Sequence, residues 1–352
     1  MLLTNYICFR IRNQQKLFMK KIFFSGAVLS LILMSCSSTK VATKADAGTY
    51  INTITAPELS KHLYIVAGDE MQGRNTGEPG QKKAGEYLIN EYKKMDISFP
   101  PGATDFYQKV PSEFMKRGFA PKLNDSENIW AFIKGSEKPD EVLVISAHYD
   151  HVGMKNGEIY NGADDDGSGT VALLEIAQAF KEAQKKGHGP KRSILFLHVT
   201  GEEHGLHGSR YYSENPLFPL ANTIADINID MVGRRDTLHP GTNNYIYVIG
   251  SDRLSSELHT INEEANAKYT KLELDYKYND RKDPERIYYR SDHYNFAKKG
   301  IPAIFFFNGI HADYHLPSDT PDKIEYDALA KRAQLAFALA WELANRPERI
   351  KV

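Results

Sequence analysis

Cysteine is nearly missing from this chain. Only Cys8 and Cys36 occur among its 352 residues. If translation starts at Met19, Cys8 is lost and the remaining cysteine can form no internal disulfide. Charge of either sign is not in excess either: 44 basic side chains face 45 acidic ones, a formal net charge of -1. That balance excludes the basic surplus of a nucleic-acid binder and the acidic tail of a solvating protein. No apolar run is long enough for a spanning helix, and no repeat of 20–50 residues is visible. What remains is an ordinary globular composition, 41% hydrophobic and 25% charged. No linker interrupts residues 50–350, so residues 51–352 are read as one domain.

The start of the chain has its own pattern. From Met19 it reads MKKIFFSGAVLSLILMSCSSTK, with a basic beginning, an apolar run from Ile22 to Met34 and small residues around Cys36. This is the build of a signal peptide, assigned to residues 1–35. The stretch LMSC resembles a bacterial lipobox, which implies that Cys36 is lipidated and becomes the first mature residue. A plain signal peptide with an accidental cysteine is the other reading. Residues 36–50 are polar and small, and are expected to form a tether. Together these features place the protein in the cell envelope, held to a membrane through Cys36 and facing outside the cytoplasm, in the periplasm or on the outer membrane.

Beyond the tether, APELSKHLYIVA and GQKKAGEYLINEYKKM have helical periodicity, and NIWAFIKG reads as a short strand. Four continuous apolar runs follow: VLVISA (142–147), SILFLHV (193–199), IADINI (224–229) and IPAIFFF (301–307). Runs of this kind suit strands covered on both faces. The helical stretch SGTVALLEIAQAFKEAQKK between the first two implies a βαβ crossover, and YDALAKRAQLAFALAWELA a C-terminal helix. The expected fold is α/β, with a mixed, largely parallel central sheet and helices on both faces. In residues 270–290, Leu272, Leu274, Tyr276 and Tyr278 alternate as in a strand, consistent with a hairpin or flap near a site mouth, or with a plain surface excursion.

Each strand-like run delivers chemistry at its end. VLVISA leads into His148, Asp150 and His151, SILFLHV into Glu202 and Glu203, IADINI into Asp230, and IPAIFFF through a loop to His315. Ligands of open α/β sheets bind outside the carboxyl ends of the strands, so these groups share one edge. The loop GADDDGSG (162–169) sits there too. Alone it reads as a solvated turn, with Ser168 able to cap the next helix. Beside histidines and further carboxylates it reads as part of a site for zinc or a similar divalent ion, which would remove the repulsion among Asp164, Asp165 and Asp166. Five or six candidate ligands exceed one ion's need and point to two ions with a bridging carboxylate.

The ordered motifs HYDH, GADDDGSG, TGEEHGLHGS, NIDMVG and YHLPSDT resemble those of the co-catalytic di-zinc aminopeptidases, with glutamate carboxypeptidase and glutaminyl cyclase as more distant relatives. The likeness covers roughly residues 55–345 and includes GRNTGEPGQKKAGEYL (73–88). It implies two zinc ions per chain, His148 and Asp230 on one, Glu203 and His315 on the other, and Asp165 bridging. It also implies a cis peptide after Asp165, leaves Asp164 a bystander, and makes Asp150 the carboxylate that orients His148. Glu202 would be the general base and acid. Tyr314 matches a tyrosine that stabilises the oxyanion, with a buried packing role as the alternative. His151, His204, His207 and His293 are read as supporting or surface residues.

The activity so implied is hydrolysis of N-terminal residues from peptides, by a metal-bound water with Glu202 as base. A carboxypeptidase or dipeptidase on the same scaffold, a single-zinc cyclase and a catalytically silent binding lipoprotein are the alternatives. The partner is a peptide, with no nucleic acid. No obvious basic cluster near the ligands is seen to clamp a C-terminal carboxylate, although Arg234, Arg235 and Arg290 could fold into the site.

Overall fold

The computed structural model describes residues 45–116 and 122–352. The signal-peptide region, Cys36 and the tether as far as Lys44 lie outside the described residues. The expected boundary at residue 50 needs correction. Ala45–Val352 form one compact unit, and Ala47 and Tyr50 are already buried in it. Tyr50 stacks on Trp341 with ring centroids 5.6 Å apart. Residues 45–50 are therefore held by aromatic packing, which their small, polar composition did not signal.

Ten strands occur among the described residues: β1 (Tyr107–Val110), β2 (Ser126–Ile133), β3 (Lys138–His148), β4 (Gly153–Lys155), β5 (Glu158–Tyr160), β6 (Arg192–Val199), β7 (Thr223–Ile229), β8 (Tyr245–Ile249), β9 (Glu273–Asp275) and β10 (Ala303–Phe307). Eight of them form one sheet in the order β1-β2-β6-β3-β7-β10-β8-β9, and β4 pairs with β5 in a hairpin. The four central strands, β6, β3, β7 and β10, run parallel. They are the four apolar runs. Successive residues of β3 serve opposite faces, with Leu143 and Ile145 in the larger core and Val142 and Val144 in the other. Burial on both faces is what makes the run continuous rather than alternating.

The helices are α1 (Ala56–Val66), α2 (Pro79–Lys94), α3 (Ser112–Met115), α4 (Gly169–Lys185), α5 (His207–Glu214), α6 (Ser256–Ala265), α7 (His293–Ala297) and α8 (Tyr326–Asn345). Helices α1 and α2 each begin on a proline in the first turn, where its missing N–H costs nothing. Phe180 of α4 stacks on Trp341 of α8 in the larger core, while Tyr212 of α5 and Phe296 of α7 sit in the core of the opposite face. Residues 270–290 form no hairpin. Only Glu273–Asp275 pair, parallel to β8, and the chain then turns through short 3₁₀ segments at Lys277–Asn279 and Ile287–Tyr289.

Candidate metal centre

His148 ends β3, Asp230 follows β7 directly, Glu202 and Glu203 follow β6, and His315 lies in the loop after β10. The parallel sheet thus brings all of them to its carboxyl edge. Asp165 stands in the middle. Its Oδ1 is 3.3 Å from His148 Nε2, and its Oδ2 is 2.9 Å from His315 Nε2. Asp230 Oδ1 lies 3.5 Å from His148 Nε2, and Glu203 Oε2 lies 3.0 Å from His315 Nε2. Glu202 is set back, its Oε2 4.0 Å from His148 Nε2.

The three adjacent aspartates divide the work. Asp165 faces the histidines. Asp166 turns the other way, accepting backbone N–H groups from Gly169 (2.9 Å), Met231 (3.0 Å) and His148 (3.2 Å). Asp164 accepts from Gly233 N–H (2.6 Å), the Asn308 amide (3.0 Å) and the Ser168 hydroxyl (3.0 Å), with His311 Nε2 at 3.1 Å. It is a buried fastening rather than a bystander. Ser168 does not cap α4, because its hydroxyl donates to Asp164 and accepts the Val232 N–H instead. The Asp165–Asp166 peptide is cis, as the resemblance implies. At Gly169 a side chain would meet the Ile229 carbonyl at 2.3 Å, so the loop can lie against β7 only with glycine there.

Other motif residues hold this loop from outside. The Arg74 guanidinium, fully buried, donates to the carbonyls of Val66, Tyr149, Asn161 and Gly162 at 2.7–2.9 Å. Asp319 accepts the backbone N–H groups of Asp164 and Asp165. Arg332 of α8 donates to the carbonyls of Val232 and Arg234, fixing the chain after Asp230. Ser291 donates to Asp230 Oδ2 at 2.5 Å and accepts from Asn228.

Two further residues differ from the sequence reading. Asp150 orients His148 mainly through its backbone carbonyl, 3.1 Å from Nδ1, while its carboxylate stays 3.8 Å away. That carboxylate instead accepts the Thr76 hydroxyl (2.8 Å) and the Glu202 N–H (3.2 Å). His151 is no peripheral residue. It is fully buried, with Nδ1 2.7 Å from Glu203 Oε1 and 3.8 Å from Asp165 Oδ2. Its position three residues after His148 was the available signal. His204 meets Asn75 at 3.0 Å, and His293 packs on Phe305, both away from the centre.

The electrostatics suit a cation. Burial opposes charge on His315, yet the hydrogen bonds and charges of Asp165 and Glu203 push its pKa up to about 10. Burial likewise opposes ionisation of Glu203, but His151 and His315 bring it down to about 2. His151 Nε2 is also buried and meets no hydrogen-bond partner among the described residues. Imidazoles and carboxylates at such spacing, without cysteine, fit zinc or a similar divalent ion. Two donor groups emerge, His148 with Asp230 and Glu202, and His151 with Asp165 and Glu203.

Tyr314 stacks on His315, ring centroids 3.9 Å apart, and lines a pocket with His148, Asp165, Glu202 and Asp230. Met231, Ile287, Phe305, Phe307 and Ile310 make the pocket's far wall apolar.

The fold and centre together define a class, α/β proteins with a carboxylate–imidazole metal site at the carboxyl edge of a mainly parallel sheet. Residues 128–340 match the model of peptidase family M28, and the chain belongs to that family. A probable leucine aminopeptidase of Trichophyton verrucosum is 31% identical over 225 residues, 62% of this chain and 57% of that protein. The chain thus spans little more than half the length of this curated relative. An aminopeptidase from Aneurinibacillus sp. strain AM-1 superposes with a TM-score of 0.64 at 15% identity, covering 87% of this chain and 98% of that one. The glutaminyl cyclase of Porphyromonas gingivalis superposes with a TM-score of 0.62 at 18% identity, covering 81% and 97%. Structures with such different names share the fold, so function has to be argued from the site.

Proposed function

We propose that the protein is a zinc-dependent aminopeptidase that removes N-terminal residues from peptides. The observation that carries this reading is Asp165, whose two oxygens face His148 on one side and His315 on the other. A carboxylate so placed serves as a bridge between two ions. Asp165, Glu202, Glu203 and Asp230 bring four carboxyl groups to the centre, a donor set that suits divalent ions. His148 and Asp230 would hold one ion, Glu203 and His315 the other, with His151 as a further donor beside Glu203. When bound, the ions supply Lewis-acid charge and make water more acidic.

The protein's own groups do the rest. Glu202 is set back from the ligands, and its backbone is fixed by Asp150. It is therefore assigned to proton transfer, taking a proton from water and delivering it to the leaving amine. Burial, with Asp165 and Glu203 nearby, holds the Tyr314 phenol above its ordinary pKa, so it remains a hydrogen-bond donor at neutral pH. It is assigned to the carbonyl oxygen of the scissile bond. The apolar pocket takes the side chain of the N-terminal residue, and its Met, Ile and Phe walls suit a leucine-like group. The name of the Trichophyton relative accords with that preference.

A panel of short peptides tests the reading. Leu-peptides with a free amine are expected to lose their first residue, and N-acetylation to abolish turnover. Purified protein is expected to bind two zinc ions per chain by elemental analysis. Release of C-terminal residues from N-acetylated peptides would replace this reading with the carboxypeptidase one.

The envelope location is part of the same proposal, supported by the LMSC stretch and the apolar run before it. Among the described residues no helix is long and apolar enough to cross a membrane. A Cys36→Ser protein is expected to leave the membrane fraction and to lack the mass of the lipid.

A further inference from the structure

The basic residues closest to the ligands in sequence are already neutralised. Arg234 Nη2 lies 2.9 Å from Asp313 Oδ2, and Arg235 Nε lies 2.8 Å from Glu325 Oε1. Three others are not. Arg210, Arg290 and Lys298 line an open groove of about 880 Å³ beside the metal centre. Among the described residues none of them has a carboxylate within salt-bridge distance. Arg290 meets the Tyr314 hydroxyl at 3.5 Å. The Lys298 ammonium lies 5.0 Å from the Tyr294 ring centroid. Arg210 rests 4.0 Å over Phe114, donating to the Phe114 carbonyl at 2.9 Å, with His207 Nδ1 at 3.2 Å.

The groove and the apolar pocket meet at the centre, sharing Glu202, Arg290 and Tyr314. That junction orients a substrate. Glu202 has to reach the leaving nitrogen, so a peptide with its first side chain in the apolar pocket sends its leaving part into the groove. Extended chain advances about 3.3–3.6 Å per residue. The terminal carboxylate of a di- or tripeptide therefore stays close to the cut, on the groove side.

Building on the aminopeptidase reading, we infer that the groove binds a carboxylate on the leaving side of the substrate, through Arg290 and Lys298. The substrates are then short peptides whose C-terminal carboxylate, or an acidic side chain just after the cut, reaches these two cations. Hydrogen bonds between charged partners are about twice as strong as neutral ones. Of the three arginines that could fold into the site, only Arg290 lines it, and Lys298 joins it there. Arg290 comes from the segment after β9, Lys298 from the end of α7 and Arg210 from α5, so only the fold assembles them.

Two substrate pairs test the inference with the metal-loaded full chain. Leu-Ala against Leu-Ala-amide reads the terminal carboxylate, and Leu-Glu-amide against Leu-Gln-amide reads an acidic side chain. In at least one pair kcat/KM is expected to favour the acid by about tenfold or more, the scale of one charged hydrogen bond. Arg290→Gln and Lys298→Gln are each expected to move that ratio toward one. Calorimetric Kd values on a Glu202→Gln protein should show the same preference without turnover. Ratios within about twofold in both pairs, with the amides still cleaved, overturn the inference and leave the aminopeptidase standing. If nothing is cleaved, the aminopeptidase reading fails, and equal Kd values for acid and amide then sink the groove as well.

Discussion

The loop beneath the metal centre and the groove beside it are both crowded with like charges, and they are held in opposite ways. In the loop, Asp164 and Asp166 are buried, and backbone N–H groups from β3, α4 and the chain after β7 point at their oxygens. In the groove, Arg290 and Lys298 are exposed and meet only tyrosines. Backbone donors cannot move without moving the sheet, so the loop's geometry is set before any ion arrives. The groove's charges are free to adjust to what binds. One region fixes the chemistry, and the other is where a choice among substrates can be made.

The comparison breaks most readily at Glu202 and Glu203, which stand side by side. Glu202→Gln is expected to lower kcat by about 10²–10⁴-fold while keeping the metals, because the role proposed for it is proton transfer in the transition state. Glu203→Ala is expected to lose metal as well as activity, read by elemental analysis of the dialysed protein. If Glu202→Gln turns over peptide near the parent rate with its metals bound, the assignment of roles fails.

A smaller effect separates fixed from adjustable charge. Asp166→Ala strands three buried N–H groups, each worth about 1–3 kcal/mol when left unpaired, and a Tm loss of roughly 5–10 °C is expected. Lys298→Gln, on the surface, should shift Tm by no more than about 2 °C. Equal shifts in the two variants would erase the distinction.

The smallest effect concerns a buried acid that lacks backbone donors. Asp226 in β7 accepts the Ser146 hydroxyl at 2.8 Å, and its other oxygen is unpartnered. Burial, outweighing the Ser146 bond and reinforced by Asp292, holds its pKa well above the ordinary carboxyl value. A carboxyl raised on folding contributes stability below its unfolded pKa, and that contribution is lost as pH rises through the folded one. Asp226→Asn is therefore expected to stabilise at alkaline pH, by on the order of 1 kcal/mol, and to do little near pH 4. A Tm difference that stays constant between these conditions would show that Asp226 is not the group responsible.

Much of this was legible because of burial. The four central strands are covered on both faces, so they appear as uninterrupted apolar runs, and the residue after each run must lie at the carboxyl edge. The edges of the sheet left a weaker trace. The alternation in Leu272, Leu274, Tyr276 and Tyr278 looked like a strand, yet only Glu273–Asp275 find a partner, because β9 is the last strand of the sheet. Side-chain roles set by packing were not legible at all. Nothing local shows that Ser291 would reach Asp230 or that the Asp150 carboxylate would hold Glu202 rather than His148. The groove cations lie on three elements with no shared pattern.

Helix α4 has a consequence for how the molecule can be handled. It starts at the aspartate loop and runs for 17 residues, about 25 Å at 1.5 Å per residue. Just past its far end, His188 receives the Tyr50 hydroxyl at 2.6 Å. Residues 45–50 therefore pack at the opposite end of this helix from the metal centre. A probe attached at Gly48 or Thr49, both exposed, would therefore stand roughly 25 Å from the aspartate loop.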